Sequence, residues 1–202
     1  VGRLPIHIGK NEDGFCVSFE SFAYKKLGYN EERELGPSEI VEISPDGITV
    51  LSGAGSEMKI CAFLWTYYGY PTSDYEGVNV EVMRNRNGAI IAQMDKELKN
   101  AEDIDFVSGV PDSGIIAAEG YAKASNIPYG MGFMKNKFIG RKVGTGMDKK
   151  KRLMQTKLTA LKSNVEGKRI IVIDDSIIRG ETSQHIVNLL RDAGAKEVHM
   201  LV

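Results

Sequence analysis

Two adjacent carboxylates, Asp174 and Asp175, directly follow the run 169–173, which is apolar after Arg169. Such a run predicts a buried strand, and the loop after the carboxylates ends at 180–183, where apolar residues take up helical spacing. In an open parallel sheet ligands bind where strands end, and the N–H groups at a helix start attract anions. Carboxylates suit sugar hydroxyls or Mg²⁺, and the loop suits a phosphate. The pattern predicts a ribose 5-phosphate site; a plain helix cap after a solvated turn is the alternative.

The elements that must position these residues alternate between strand and helix from about residue 80 onward. Strands are predicted at 104–109, 127–134, 169–173 and 197–202, and helices at 113–125, at 182–192 and in the second half of 78–99. Residues 147–162 are predicted as a basic helix or a loop. Strands that alternate with helices of about 10–15 residues predict an α/β fold with a parallel sheet.

Residues 1–55 have a different pattern. Short apolar or alternating runs are separated by turn signals at Glu12-Asp13-Gly14 and Pro45-Asp46-Gly47. These features predict a β-rich region, interrupted by one helix within 18–29 that ends at Gly28.

Composition and charge exclude several classes of protein. The formal net charge of -1 argues against bulk electrostatic binding to nucleic acid or to an anionic membrane. No apolar run approaches the ~20 residues needed to cross a bilayer, and the first residues lack a signal-peptide layout. The two cysteines, Cys16 and Cys61, lie far apart in the sequence, which fits a reducing compartment. A cytoplasmic location is predicted.

Three segments closely resemble the glutamine amidophosphoribosyltransferase family of type I phosphoribosyltransferases. They are GVPDSG at 109–114, KNKFIGR at 135–141 and VEGKRIIVIDDSIIRGETS at 165–183. The resemblance covers essentially the whole chain and implies two domains. Residues 1–58 resemble the C-terminal part of a glutaminase-type domain, and residues 59–202 resemble a phosphoribosyltransferase domain that is incomplete at its C-terminus.

The resemblance implies a fold and an activity. The fold would be a type I phosphoribosyltransferase-like parallel sheet flanked by helices, preceded by a small β-rich remnant of an N-terminal-nucleophile glutaminase domain. In this family ammonia, released from glutamine in the full enzyme, displaces pyrophosphate from phosphoribosyl pyrophosphate (PRPP) and forms 5-phosphoribosylamine in de novo purine synthesis. The implied partners are PRPP, ammonia or glutamine, Mg²⁺, purine nucleotides as feedback ligands, and further copies of the chain in a homo-oligomer.

The resemblance also assigns residues. Asp174 and Asp175 match the catalytic acidic pair that holds the ribose hydroxyls and Mg²⁺, and Ser113 matches the residue that completes the metal site. The positions that match PRPP-binding residues are Asp112, Ser113, Lys135, Asn136, Lys137, Arg141, Lys157, Arg179, Gly180, Glu181, Thr182 and Ser183. The basic residues among them match a flap over the pyrophosphate, but could instead form a solvated surface. Ser113 could also cap the following helix.

The sequence departs from the family at several points. The family nucleophile is an N-terminal cysteine, whereas this sequence begins with Val1, so no glutaminase activity is expected. Glu181 replaces the usual threonine, and its charge would weaken phosphate binding unless Arg179 or Lys168 turned it aside. The segments KVGTGMDKKK at 142–151 and YGYPTSDYEG at 68–77 also differ from the family pattern.

Cys61 matches the first ligand of a 4Fe–4S cluster in one branch of the family. Such a cluster needs four thiolates, so a cluster is expected only in a longer form, and here Cys61 is expected to be a buried free cysteine. Two other functions stay open. The protein could be another PRPP-binding phosphoribosyltransferase, or a non-catalytic nucleotide-binding protein on the same scaffold.

Overall fold

A computed structural model describes residues 4–98, 103–136 and 158–202. The chain forms two compact units, Val1–Met83 and Arg84–Val202. The boundary predicted between residues 58 and 59 stays a prediction. Within the described residues, no helix has both the length and the apolar character that a membrane crossing requires.

The first unit is built mainly from short antiparallel strands. Its elements are β1 His7–Asn11, β2 Gly14–Ser18, α1 Ser21–Lys26, β3 Asn30–Glu34, β4 Ile40–Ser44, β5 Gly47–Ser52, a π-helical turn Leu64–Tyr68, β6 Asp74–Tyr75 and β7 Val78–Asn79. Strands β2, β1 and β3 form one sheet in that order, and β4 pairs with β5. The predicted turn at Glu12-Asp13-Gly14 forms because Asn11 Oδ1 accepts hydrogen bonds from the Asp13 N–H at 2.9 Å and from the Gly14 N–H at 3.2 Å.

A small aromatic cluster stabilises the first unit. Leu64, Trp65, Tyr75 and Val80 are buried together. The Trp65 ring meets the Tyr75 ring edge-on at 5.9 Å, and Trp65 Nε1 donates to the Val78 carbonyl oxygen at 3.0 Å. Because the indole N–H has a partner, burial of this ring leaves no unsatisfied donor.

The second unit contains the alternating elements. They are α2 Val80–Leu98 (its first four residues belong to the first unit), β8 Phe106–Gly109, α3 Gly114–Ser125, β9 Phe133–Lys135, β10 Leu158–Ala160, α4 Lys162–Val165, β11 Arg169–Ile173, α5 Glu181–Asp192 and β12 Glu197–Leu201. Strands β12, β11 and β8 form a parallel sheet in that order. The predicted α/β fold with a parallel sheet is confirmed.

The prediction of one strand over 127–134 is wrong. Tyr129 makes a single parallel bridge to Val107, and the chain then leaves the sheet. Phe133–Lys135 instead pairs antiparallel with Leu158–Ala160. Glycine permits this path, because a β-carbon at Gly130 would lie 2.6 Å from the Phe106 ring.

Strand β11 is the central strand of the described sheet and is covered on both faces. Ile170 and Val172 pack into one apolar cluster with Phe106, whereas Ile171 and Ile173 pack into another. All four of these β11 side chains are fully buried. At about 1.5–3 kcal/mol for each large apolar side chain, this burial fixes β11 strongly in the fold. The backbone of Asp174 and Asp175, which follow β11, is therefore anchored to the core.

The backbones of helices α2 and α3 lie very close together where the two helices cross. A β-carbon at Gly88 would lie 1.8 Å from the Ala117 carbonyl oxygen, and one at Gly120 would lie 2.0 Å from the Asn85 carbonyl oxygen. Only glycine allows the two backbones to approach so closely. This contact sets the position of α3, whose first residues reach the candidate site.

Candidate functional site

The carboxyl ends of β8 and β11 lie side by side. Gly109 and Ile173, the last residues of the two strands, are partners in the parallel register. The Val110 N–H donates to the Ile173 carbonyl oxygen at 2.9 Å, and the Asp174 N–H donates to the Leu201 carbonyl oxygen at 3.1 Å. Both following loops therefore leave the sheet at one edge, as the sequence predicts.

The start of α3 contacts the end of β11. A β-carbon at Gly114 would lie 2.2 Å from the Ile173 carbonyl oxygen and 3.2 Å from Asp174 Cα. A larger residue would push the helix away, so the glycine brings Ser113 next to the acidic pair. Ser113 is the residue before the helix, but its side chain makes no capping hydrogen bond to the first turn. The alternative that Ser113 caps α3 is therefore wrong.

The two carboxylates differ in their surroundings. Burial raises the pKa of Asp174 to about 6; the Asp175 N–H, which donates to Asp174 Oδ1 at 2.9 Å, lowers this pKa, and the Asp175 charge raises it. Ser176 Oγ donates to Asp175 Oδ1 at 2.7 Å. A cation beside the pair would offset the repulsion between the two charges and favour the ionised form of Asp174.

The donor set fits Mg²⁺. Asp174 and Asp175 offer carboxylate oxygens at the sheet edge, and Mg²⁺ is usually bound by one or two carboxylates together with waters and substrate phosphates. In the described ranges 4–98, 103–136 and 158–202, no group of three or more His, Cys, Asp or Glu side chains could hold a metal by itself. A magnesium ion at this edge would therefore need ligand and water oxygens as well.

The loop after Asp175 leads to the start of α5. Gly180 precedes the helix with a φ of 76°, in the left-handed region that glycine adopts without strain. Its carbonyl oxygen accepts from the Gln184 N–H at 2.8 Å, so the first helical turn is formed. Thr182 and Ser183 lie in this turn, where the exposed N–H groups and the helix dipole favour a phosphate.

Two charged residues of this loop, and the lysine suggested as a partner for one of them, differ in their surroundings. Glu181 and Arg179 are both exposed. Lys168, suggested above as a partner of Glu181, instead donates to Asp105 Oδ1 at 2.9 Å. Lys168 precedes β11 and so lies at the opposite end of that strand. The suggestion for Lys168 is therefore wrong.

Lys135 reaches the site from β9. Its ammonium group forms an ion pair with the Asp112 carboxylate in the loop between β8 and α3. Asn136 follows and is half-buried. The other predicted basic residues, Lys137, Arg141 and Lys157, lie outside the described residues.

Cys61 is a free cysteine with an exposed side chain, so its predicted burial is wrong. The chain has two cysteines in all, too few thiolates for a 4Fe–4S cluster. The residues present do not fit such a cluster.

Ser176 is a member of the site that the sequence reasoning missed. Its hydroxyl orients Asp175, as described above. Its position directly after the acidic pair was the available signal, because a serine next to a carboxylate can donate to it locally.

A sequence profile of the phosphoribosyl transferase domain matches residues 81–202. The chain belongs to this family. The match includes every described site residue, from the loop 110–113 to the start of α5. The resemblance drawn from the sequence motifs is confirmed.

Related proteins that match the whole of this chain are named amidophosphoribosyltransferases. The chain is 37% identical over 203 residues to an amidophosphoribosyltransferase of Bacillus subtilis (strain 168), a match that covers 100% of this chain and 42% of the relative. It is 36% identical over 204 residues to the amidophosphoribosyltransferase of Archaeoglobus fulgidus, covering 100% of this chain and 44% of the relative. The chain therefore spans less than half the length of these relatives.

Solved structures agree with the family assignment. The structure described as the allosteric regulatory enzyme of purine biosynthesis superposes with a TM-score of 0.85 at 38% identity, covering 98% of this chain and 42% of the other. A glutamine PRPP amidotransferase from B. subtilis, complexed with ADP and GMP, superposes with a TM-score of 0.84 at 38% identity, covering 98% of this chain and 43% of the other.

Proposed function

We propose that this chain carries the phosphoribosyl-transfer site of an amidophosphoribosyltransferase of purine synthesis. In the proposed reaction, ammonia attacks C1 of PRPP, a C–N bond forms, the C–O bond to pyrophosphate breaks, and the nitrogen loses a proton to give 5-phosphoribosylamine. The observation that carries the proposal is the contact of Gly114 with Ile173 and Asp174. This contact joins the 112–113 loop and the acidic pair at one sheet edge.

Each part of the edge suits one part of PRPP. Asp174 and Asp175 would bind the ribose hydroxyls, and together with Ser113 they would hold Mg²⁺. The first turn of α5, at 181–183, would bind the 5-phosphate through its N–H groups and hydroxyls. The bound Mg²⁺ would neutralise charge on the leaving pyrophosphate.

The protein groups stabilise charge where it develops. Positive charge builds on the ribose ring as the C–O bond breaks, and the ionised carboxylates Asp174 and Asp175 are suitably charged to favour it. Lys135, which pairs with Asp112 next to Ser113, would bind the departing pyrophosphate. Because burial and the Asp175 charge raise the pKa of Asp174 to about 6, the acidic pair is fully ionised only above that pH. Activity should therefore fall on acidification.

The whole protein would bind partners besides PRPP. The B. subtilis neighbour is described as a glutamine PRPP amidotransferase, which supports glutamine as the source of ammonia in the whole protein. The complex of the B. subtilis neighbour with ADP and GMP supports purine nucleotides as ligands. We also propose that the whole protein forms a homo-oligomer. We propose a cytoplasmic location because both cysteines are free thiols.

Binding and turnover test the proposal separately. Isothermal titration should detect PRPP binding in the presence of Mg²⁺, and pyrophosphate release from PRPP should depend on added ammonia. Asp174→Asn and Asp175→Asn should abolish both. Asp192→Asn is the matched control, because this exposed carboxylate lies at the far end of α5.

Other outcomes would replace the proposal. Pyrophosphate release that depends on a nucleobase instead of ammonia would indicate a different phosphoribosyltransferase. Tight PRPP binding without release under either condition would indicate a non-catalytic binding protein.

A further inference from the structure

The proposed chemistry uses Lys135 but gives no role to its ion pair with Asp112. The two residues lie 23 positions apart in sequence and come from different elements. Asp112 lies in the loop between β8 and α3, and Lys135 is the last residue of β9. The Asp112 side chain is 74% exposed and that of Lys135 is 50% exposed, so both groups are accessible to a ligand.

Buried neighbours hold each partner near the other. Phe133, two residues before Lys135, is 2% exposed and packs in the apolar cluster beside β11. Lys135 itself is the register partner of Leu158 in β10. On the other side, Val110 and Gly114 are buried on either side of the loop that carries Asp112. The backbones of both partners are thus anchored, while their charged ends stay in solvent.

The pair lies where an anionic ligand would bind. Asp112 and Ser113 directly precede α3, a helix of 12 residues whose positive end faces this loop. A carboxylate at such a place is itself attracted to the helix end and to Lys135. An arriving pyrophosphate group would compete with Asp112 for the same cation.

We propose that Asp112 is the internal counter-ion of Lys135 in the ligand-free site and that a pyrophosphate oxygen takes its place on binding. This inference rests on the proposed function. Asp112 is thus a positioning residue that acts through Lys135. Because the ligand must break the ion pair between Asp112 and Lys135, an anion with a single charge should bind weakly to Lys135. An anion with several charges should bind more tightly.

The exchange predicts the effect of removing the Asp112 charge. Asp112→Asn should bind inorganic pyrophosphate about threefold more tightly than the unmodified protein at low salt, as expected for loss of an exposed ion pair. Asp112→Glu should restore the original affinity, because a carboxylate is again available to Lys135. The difference should shrink as salt is added, since salt screens exposed pairs.

A double-mutant comparison separates exchange from simple repulsion. In a Lys135→Met background, Asp112→Asn should change pyrophosphate affinity by less than it does when Lys135 is present. Glu119→Gln is the matched control: it removes a carboxylate from α3 that pairs with Lys123 at 2.8 Å, and it should leave affinity unchanged. All titrations use inorganic pyrophosphate in EDTA, which keeps metal out of the comparison.

The outcomes distinguish this inference from the proposed function. If the unmodified protein binds neither pyrophosphate in EDTA nor PRPP with Mg²⁺, the proposed function and the inference both fail. If it binds pyrophosphate, but Asp112→Asn binds it equally or more weakly, only the inference fails. An equal gain from Asp112→Asn with and without Lys135 would also overturn the inference, because the gain would then be plain charge repulsion.

Discussion

Asp174, a residue of the candidate site, carries a charge that lowers the stability of the fold. Asp174 is half-buried beside a second carboxylate, and its pKa is raised from 3.8 to about 6. An acid whose pKa is higher in the folded state binds its proton more tightly there than in the unfolded chain. The associated stabilisation is complete below the unfolded pKa and is lost as pH rises through the folded pKa.

Asp174→Asn should therefore stabilise the protein at neutral pH while abolishing PRPP binding. The asparagine avoids the buried charge, so we expect a gain of about 1–2 kcal/mol in the free energy of unfolding at pH 8, and a much smaller gain near pH 4.5. Urea unfolding at the two pH values measures this difference. Equal gains at both would mean that ionisation of Asp174 does not destabilise the fold. Asp192→Asn serves as the control.

Glu181 is the site residue that fits a phosphate loop least. It is exposed at the first position of α5, so its repulsion of a bound phosphate should be moderate. Glu181→Thr should tighten ribose 5-phosphate binding by about two- to fivefold at low ionic strength, and by less at high salt. Glu181→Gln separates the charge effect from the gain of a hydroxyl. Unchanged calorimetric affinity at low salt for both variants would show that the carboxylate points away from the ligand.

At the scale of elements, the sequence predicts the strands and helices that have an apolar pattern. It does not predict those that lack such a pattern. The run Arg169–Ile173 is almost wholly apolar, so β11 and the edge position of Asp174 followed directly. Strand β3, Asn30–Glu34, cannot be predicted from the sequence, because its five polar or charged residues show no alternation of apolar and polar positions. It forms by pairing with β1. The contact between Asp112 and Lys135 could not be predicted either, because it depends on the path of the chain after Gly130.

The crossing of α2 and α3 is an element-scale feature that can be tested. Gly120→Ala would place a β-carbon 2.0 Å from the Asn85 carbonyl oxygen, so the helices must move apart. We expect a loss of about 1–3 kcal/mol in the free energy of unfolding, as for other overpacked sites. Gly53→Ala is the matched control, because nothing lies within 4 Å of its β-carbon. Similar urea midpoints for the two variants would contradict the close crossing.

On the scale of the whole molecule, the candidate site belongs to one unit. Every described site residue lies within Arg84–Val202, and the family profile covers nearly the same part of the chain. The first unit has its own aromatic cluster, which includes Trp65, the one tryptophan of the chain. Tryptophan fluorescence therefore reports on the first unit, while ligand binding reports on the second.

The burial of β11 on both faces has a consequence for exchange of backbone hydrogens with solvent. Its amides pair with strands on both sides and its central side chains are fully buried, so no small local opening can expose them. Amide exchange measured by mass spectrometry should be slowest in Ile170–Ile173 and much faster in the loop 176–180. Comparable rates in both segments would contradict this expectation. The acidic pair lies between these two segments, and we expect ligand binding to slow amide exchange in the loop 176–180 and to leave the rates in Ile170–Ile173 unchanged.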